Sequence, residues 1–282
     1  SGFLGFNSRD KNQALENLRR MNNLLEHRGP DSEGFWIDEN RQIALGHKRL
    51  SILDLSDAGS QPMISRSGNY ILAYNGEIYN HKNLRAKLTS EKKDIVWRGN
   101  SDTETLLECI DNWGLEKALS QVEGMFALAL WSNRENRLYL ARDRFGEKPL
   151  YYGWVGSGTS KSFIFSSELK SLRVHPEFDQ KISRDSIALQ MRLSCIPSPF
   201  SIYEGINKLE PGHLLQLSLK NEETKKICYW PIEEIFMDGL ENPFEGDFED
   251  AVETLHKLIA NKVCDQMLSD VPLGAFLSGG VD

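Results

Sequence analysis

The apolar positions of this chain change period several times, and each change marks an element. Residues 2–6 (GFLGF) are an apolar run of strand length. Asp10, with Gln13 three positions later, has the spacing of a capping box. Leu15, Leu18, Met21 and Leu25 then recur at helical spacing, on a face that should meet a core. Residues 34–37 and 43–53 read as strands around a polar Asp-Glu-Asn-Arg turn, and residues 69–79 as an apolar run interrupted by Asn75-Gly76. Helical spacing returns over residues 102–119, with Leu106, Leu107, Ile110 and Trp113 on one face. Further strands are expected at residues 124–131, 137–142, 149–155, 162–166, 213–219 and 226–230, the last two around a charged turn at 220–226. Short polar turns join antiparallel neighbours, because parallel ones need a long crossover. The pattern to residue 219 is therefore α+β with antiparallel sheets.

The remainder reads differently. Residues 174–202 are less regular and hold Pro176, Pro197 and Pro199. Residues 231–247 combine Pro231, Gly239, Pro243 and Gly246 with acidic residues, the composition of a linker. Residues 248–268 carry an amphipathic helix through Val252, Leu255, Leu258, Ile259, Val263 and Met267, and residues 271–277 a buried strand. That helix would expose an apolar stripe if nothing covered it. Residues 248–282 are thus expected to pack on the preceding part, to pair with another copy as a homodimer, or to belong to a longer chain.

Composition narrows the class. At roughly 150 residues per domain, 282 residues suggest about 1.9 domains. Forty per cent apolar and 26% charged residues are those of a folded chain. A net charge of −8 argues against a general nucleic-acid or membrane-surface partner, and no apolar run reaches the length of a membrane span. The four cysteines (Cys109, Cys195, Cys228 and Cys264) form no CxxC pair, which disfavours a zinc site or a disulfide framework. Together with the lack of a leader segment, they fit a reducing, cytoplasmic setting.

Two constellations carry chemistry. At the C-terminal end a strand-like run enters Ser278-Gly279-Gly280-Val281-Asp282. Two glycines let backbone amides approach an anion, the serine adds a donor, and an acidic residue can bind the magnesium that accompanies a polyphosphate. The five residues alone also suit an ordinary Gly-Gly turn. The longer stretch Val271-Pro-Leu-Gly-Ala-Phe-Leu-Ser-Gly-Gly-Val-Asp282 resembles the pyrophosphate loop of ATP-pyrophosphatase synthetases, in the form used by asparagine synthetases. The resemblance implies an ATP site at Phe276, Ser278, Gly279, Gly280 and Asp282, with Asp282 as the Mg ligand. The family loop continues beyond the point where this sequence stops, so a truncated start of an α/β domain is expected there.

The N-terminal constellation consists of His27-Arg28-Gly29-Pro30-Asp31, Arg49-Leu50-Ser51-Ile52, Asn75-Gly76-Glu77-Ile78-Tyr79-Asn80, Ser101-Asp102-Thr103-Glu104 and Ala141-Arg142-Asp143-Arg144-Phe145-Gly146. These segments stand as in class II glutamine amidotransferases, the N-terminal-nucleophile glutaminases. Glutaminase first and SGGVD second resembles the asparagine synthetase B family. Singly the residues have plainer readings. Asn-Gly between strand-like runs is a strong hairpin signal, Asp102 could cap a helix, and Arg49 could be a solvated strand residue. In family order they imply a glutamine site. Arg49 offers a planar fork for the substrate carboxylate, and Asp102 accepts from its ammonium with help from Glu77. Leu50, Ser51, Ile52 and Leu53 line the pocket by backbone groups, and Asn75 with the Gly76 amide forms an oxyanion hole. Arg28 with Asp31, and the run from Arg142 to Arg144, read as structural pairs.

Position 1 departs from the family, whose nucleophile is an N-terminal cysteine. Here it is Ser1. In this class the free α-amine is the base for its own side chain, and a serine hydroxyl is a weaker acid than a thiol, so hydrolysis should be slow or absent. Three accounts stay open: Ser1 replaces a cysteine, the glutaminase has been lost naturally, or serine is a working nucleophile. The complete set Arg49, Asn75, Gly76, Glu77 and Asp102 favours the first. The expected architecture is an αββα sandwich over residues 1–219, a strand and linker over 220–247, and the start of a synthetase domain over 248–282. The expected reaction is glutamine-dependent amidation of aspartate using ATP. Alternatives are another carboxylate acceptor, such as a sugar acid, and a non-catalytic glutamine-binding module.

Overall fold

The computed structural model describes residues 1–5, 11–92, 94–218, 223–276 and 279. Among the described residues, twelve strands form two antiparallel sheets. The first contains β1 (Gly2–Leu4), β2 (Ser32–Asp38), β3 (Ile43–Arg49), β8 (Tyr151–Val155), β9 (Ser162–Ser166) and β10 (Ile206–Lys208), in the order β10-β8-β9-β1-β3-β2. The second contains β4 (Met63–Ile64), β5 (Tyr70–Ile78), β6 (Gly124–Ser132), β7 (Arg137–Arg142), β11 (His213–Ser218) and β12 (Glu223–Cys228), in the order β12-β11-β7-β6-β5-β4.

Alternation along the strands assigns each side chain to a layer. Leu4, Ile43, Leu45, Ala127, Ala129 and Trp131 point between the sheets, where they form one core with Phe163 and Phe165. Their neighbours Phe3, Ala44 and Ile164 point outward to Ala14, Leu18 and Met21 of α1 (Lys11–Asn23) and to Leu172 of α5 (Leu169–Leu172). Leu128 and Leu130 face the other way, toward α2 (His81–Glu91), α3 (Asp102–Trp113) and α4 (Leu115–Gln121). The result is the expected four-layer αββα sandwich, and α6 (Arg184–Leu193) lies on a later connection.

Several boundaries differ from the sequence reading. The strand expected over 43–53 ends at Arg49, and residues 50–56 are a loop. The helix expected over 102–119 breaks at Gly114, whose φ of 85° interrupts it between α3 and α4. Leu15 is only half-buried, and Ala14 takes the inner position on α1. Residues 231–247 are not a plain linker: Ile232–Glu241 form α7, which exposes Phe236 and Met237. The last helix, α8 (Phe248–Gln266), is as expected and carries a capping box between Asp247 and Asp250. Residues 271–276 are not a buried strand. Val271, Leu273 and Phe276 are exposed, and no described strand pairs with them. The apolar face of α8 does not pack on the sandwich either. Phe6, Asp10, Leu219, residues 220–222, Leu277, Ser278, Gly280, Val281 and Asp282 lie outside the described residues.

Candidate active site

The site is organised by the free edge of β5. One residue beyond that strand, Tyr79 N donates to Glu123 O at 2.8 Å. The odd-numbered amides of β5 therefore face β6, and the even-numbered ones face away. Two outward amides have acceptors: Tyr74 N donates to Gln61 Oε1 at 2.6 Å and Ile78 N to Asp102 Oδ2 at 2.9 Å. Gly76 lies between them and lines a pocket of about 420 Å³. A Cβ at Gly76 would meet Met125 O at 2.1 Å and Phe126 Cα at 2.7 Å, so only glycine fits. Asn75-Gly76 is thus no hairpin turn; the two residues sit within a strand, opposite Ala127 and Phe126. Asn75 Nδ2 is buried without a hydrogen-bond partner among the described residues. Leaving such a donor unpaired costs about 1–3 kcal/mol, so a carbonyl or oxyanion entering here gains it as a partner.

Ser1 reaches the same place from the facing sheet. It lines a smaller cavity of about 40 Å³ that shares His47, Tyr74 and Asn75 with the main pocket. Its amine donates to Gly46 O at 2.9 Å, and Gly46 N returns a bond to Ser1 O at 2.8 Å. Its Oγ donates to Asn22 Oδ1 at 3.3 Å, and Asn22 Nδ2 donates to His47 O at 3.1 Å. Burial lowers the α-amine from 8.0 to about 5. Burial, then the charges of that amine and of Arg49, lower His47 to about 3. Both groups are neutral at neutral pH, so the amine beside Ser1 Oγ has its lone pair available.

Arg49 is placed differently from the open fork expected. It is 9% exposed and lines the pocket, but it donates from Nη1 to Ser56 O at 3.1 Å and from Nη2 to Leu53 O at 3.3 Å and to Asp54 O. The arginine therefore clamps the 50–56 loop. Leu50, Ile52 and Leu53 line the pocket, whereas Ser51 does not; its amide donates to Asp31 Oδ2 at 2.8 Å. Asp102 is 5% exposed at the start of α3, and it is not the cap: Ser101 Oγ accepts from Glu104 N at 3.2 Å in that role. Asp102 accepts from Tyr74 Oη (3.0 Å), Ile78 N and Thr103 N (2.8 Å). Burial nevertheless pushes its carboxyl above the ordinary value. Glu77 is the carboxylate left free in the pocket. Burial, then the charge of Asp102, raises it, while Lys148 across the pocket pulls it down.

Arg28 and Asp31 do not pair with each other. Arg28 Nη1 binds Glu168 Oε1 at 2.9 Å, and Asp31 supports Ser51. Asp143 is fully buried and accepts from the amides of Phe126, Phe145, Glu147 and Lys148, a structural role as expected. Sequence reasoning missed Asn22, His47, Gln61 and Lys148. Asn22 left a trace, being a polar residue one turn from Leu18 on the buried face of α1. At the other end of the chain, Phe276 is fully exposed and Gly279 has open space around it. Ser278, Gly280 and Asp282 lie outside the described residues. The described residues therefore build no polyphosphate cradle. Among them no group of three His, Cys, Asp or Glu could hold a metal, and no helix is long and apolar enough to cross a membrane.

Two antiparallel sheets between helical layers, with Ser1 lining the smaller of two cavities that share His47, Tyr74 and Asn75, make up the fold and its site. The chain belongs to the glutamine amidotransferase domain family, which matches residues 1–230, and residues 254–282 match the asparagine synthase family. A protein of Methanocaldococcus jannaschii is 38% identical over 285 residues, covering 95% of this chain and 52% of that protein. Asparagine synthetase [glutamine-hydrolyzing] 1 of Bacillus subtilis is 34% identical, covering 100% of this chain and 42% of that protein. The chain thus spans about half the length of these relatives, or less. A solved structure described as the allosteric regulatory enzyme of purine biosynthesis shares the fold at a TM-score of 0.59 and 20% identity, covering 81% of this chain and 48% of that one.

Proposed function

We propose that this chain is the glutaminase part of a glutamine-dependent amidotransferase of the asparagine synthetase kind. Residues 1–219 would be the amidotransferase domain, 220–247 its connection, and 248–282 the opening of an ATP-using domain. The observation that carries the reading is the unpaired, buried Asn75 Nδ2 beside the outward Gly76 amide, facing a cavity shared with Ser1. Two donors converging where a carbonyl oxygen could sit, next to a nucleophile with its own base, suit acyl transfer.

The chemistry then follows from these groups. Glutamine lies in the main pocket with its ammonium toward Glu77 and Asp102 and its carboxylate toward Arg49. The neutral α-amine takes the proton from Ser1 Oγ, and Oγ attacks the side-chain amide carbon. The oxygen of that amide becomes an oxyanion and accepts from Asn75 Nδ2 and Gly76 N. Collapse breaks the C–N bond, the amine returns its proton to the departing nitrogen, and ammonia leaves a γ-glutamyl ester on Ser1. Water, deprotonated by the same amine, then hydrolyses the ester to glutamate. A weakly acidic serine makes the first step slow. Three of the five N–H donors of Arg49 hold loop carbonyls, which leaves two for the substrate carboxylate.

Calorimetry with glutamine, alongside detection of glutamate, tests the reading on the Ser1 protein. Binding with slow or undetectable release is expected, and binding that never proceeds even with cysteine at position 1 would instead favour a glutamine-binding module. Failure to bind glutamine would remove the proposal. For the acceptor, asparagine is expected from aspartate and ATP in a protein carrying the complete second domain. Glutamate release without asparagine would substitute another carboxylate, such as a sugar acid.

A further inference from the structure

The exposed C-terminal segment touches the sandwich at one informative place. Asp270 N donates to Ile52 O at 3.0 Å, and Asp54 N donates to Asp270 Oδ2 at 2.8 Å. Both contacts fall on the loop that Arg49 clamps. Asp54 is the node of that loop. It has a φ of 53°, unusual for a residue with a side chain, so its conformation must be held by its surroundings. Its carbonyl accepts from Arg49 Nη2, its Oδ1 from Ser56 N at 3.1 Å, and its Oδ2 from Asn100 N at 2.7 Å. Asn100 stands two residues before Asp102, and Ile52 lines the main pocket. Gly99 packs so closely that a Cβ there would meet Asp54 Oδ2 at 2.2 Å. One residue outside the sandwich thus grips, through its own amide and carboxylate, the loop that connects three walls of the pocket. That residue immediately precedes the segment 271–282.

We propose that Asp270 is a positioning residue that latches the 50–56 loop, so that the order of the glutamine pocket is coupled to the placement of the segment entering the Ser-Gly-Gly-Val-Asp run. The proposal rests on the glutamine reading of the pocket. Because coupling between two sites is reciprocal, glutamine binding that orders the loop also restrains Asp270 and the segment beyond it. Asp270 touches neither the substrate nor the reacting atoms, and it is exposed, so its loss should leave the folded sandwich intact.

The test compares Asp270→Ala with Asp270→Asn in the full chain, by amide hydrogen exchange over residues 50–56 and by the calorimetric Kd for glutamine. Alanine removes the acceptor of Asp54 N, whereas asparagine keeps an oxygen there. Faster exchange at Asp54 and glutamine binding weakened about three- to tenfold in Asp270→Ala, the range one hydrogen bond supplies, are expected, with both restored in Asp270→Asn and Tm unchanged. Unchanged loop exchange in Asp270→Ala would overturn the latch. Faster exchange with unchanged glutamine affinity would overturn the coupling. A parent protein that does not bind glutamine at all would instead sink the glutamine reading of the pocket, and the exchange data alone would then decide the latch.

Discussion

The sandwich and the C-terminal helices are written in the same pattern and end in opposite states. α1 and α8 both carry an apolar stripe at helical spacing. On α1 the stripe is covered: Leu18 and Met21 are fully buried under the first sheet. On α8 Leu255, Leu258 and Ile259 remain more than half exposed, and the helix meets the sandwich through polar contacts such as Lys262 with Glu123 at 2.5 Å. A stripe dictates that a helix forms and which face it buries, but the covering surface must come from elsewhere in the fold. Stability should therefore be concentrated in the sandwich, and the site is built inside that stable part.

A pair of truncations separates the two regions most strongly. Trp131→Ala, inside the core between the sheets, should destabilise by about 3–5 kcal/mol, whereas Leu255→Ala on α8 should stay within about 0.5 kcal/mol. Urea unfolding of both variants checks it; comparable losses would mean that α8 is packed as the core is. Next in size is Asn75→Ala. Its Nδ2 holds no partner, so removing it should lower kcat for glutamate release by about 10²–10³-fold in a Ser1→Cys background while leaving the unfolding midpoint near its parent value. Gly76→Ala, by contrast, should fail in both respects, because its Cβ would strike backbone. The destabilisation expected is about 1–3 kcal/mol, read from the same unfolding curves.

A separate effect is with pH, and its sign follows from burial. The α-amine falls from 8.0 to about 5, His47 from 6.5 to about 3, and His175 from 6.5 to about 4. Each binds its proton in the unfolded chain before it does in the fold, so stability is complete above pH 8 and declines progressively as pH falls toward 5. At more acid pH the raised carboxylates Glu77, Asp102 and Glu108 oppose the trend, since they take up protons more readily in the fold. Unfolding midpoints measured between pH 8 and 5 should drop; a flat profile would mean that the N-terminal amine is not buried as described. Glutamate release by Ser1→Cys should persist to near pH 5 before the amine is protonated.

Much of this could be read from the residues, and the gaps have identifiable causes. Several strands stand out as continuous apolar runs because the sheets are covered on both faces, as with Leu128 and Ala129. Asn75-Gly76 looked like a hairpin because turn chemistry and a close-packed edge both demand glycine; only the partner strand distinguishes them. α2 left little signal, since only His81, Leu84 and Leu88 along it are buried. The 271–277 run read as a buried strand from its composition, but a strand forms only against a partner, and none of the described strands offers one. Among the candidate site residues, Asn75, Gly76, Glu77 and Asp102 line one pocket. Arg49 lines the same pocket with its fork turned to the loop carbonyls, an orientation that depends on the path of residues 50–56 and not on local pattern. Gln61 acts by accepting from Tyr74 N and donating to Thr103 Oγ1 across the pocket wall, contacts that no spacing in the chain announces.

In the proposed glutaminase centre a neutral N-terminal amine, the Asn75 and Gly76 donors and the residue at position 1 act together. The most direct measurement is the release of glutamate and ammonia from glutamine by the Ser1→Cys protein. Equal amounts of the two products, with Asn75→Ala in the same background nearly silent, are expected. A folded Ser1→Cys protein that binds glutamine yet releases no glutamate would contradict the account.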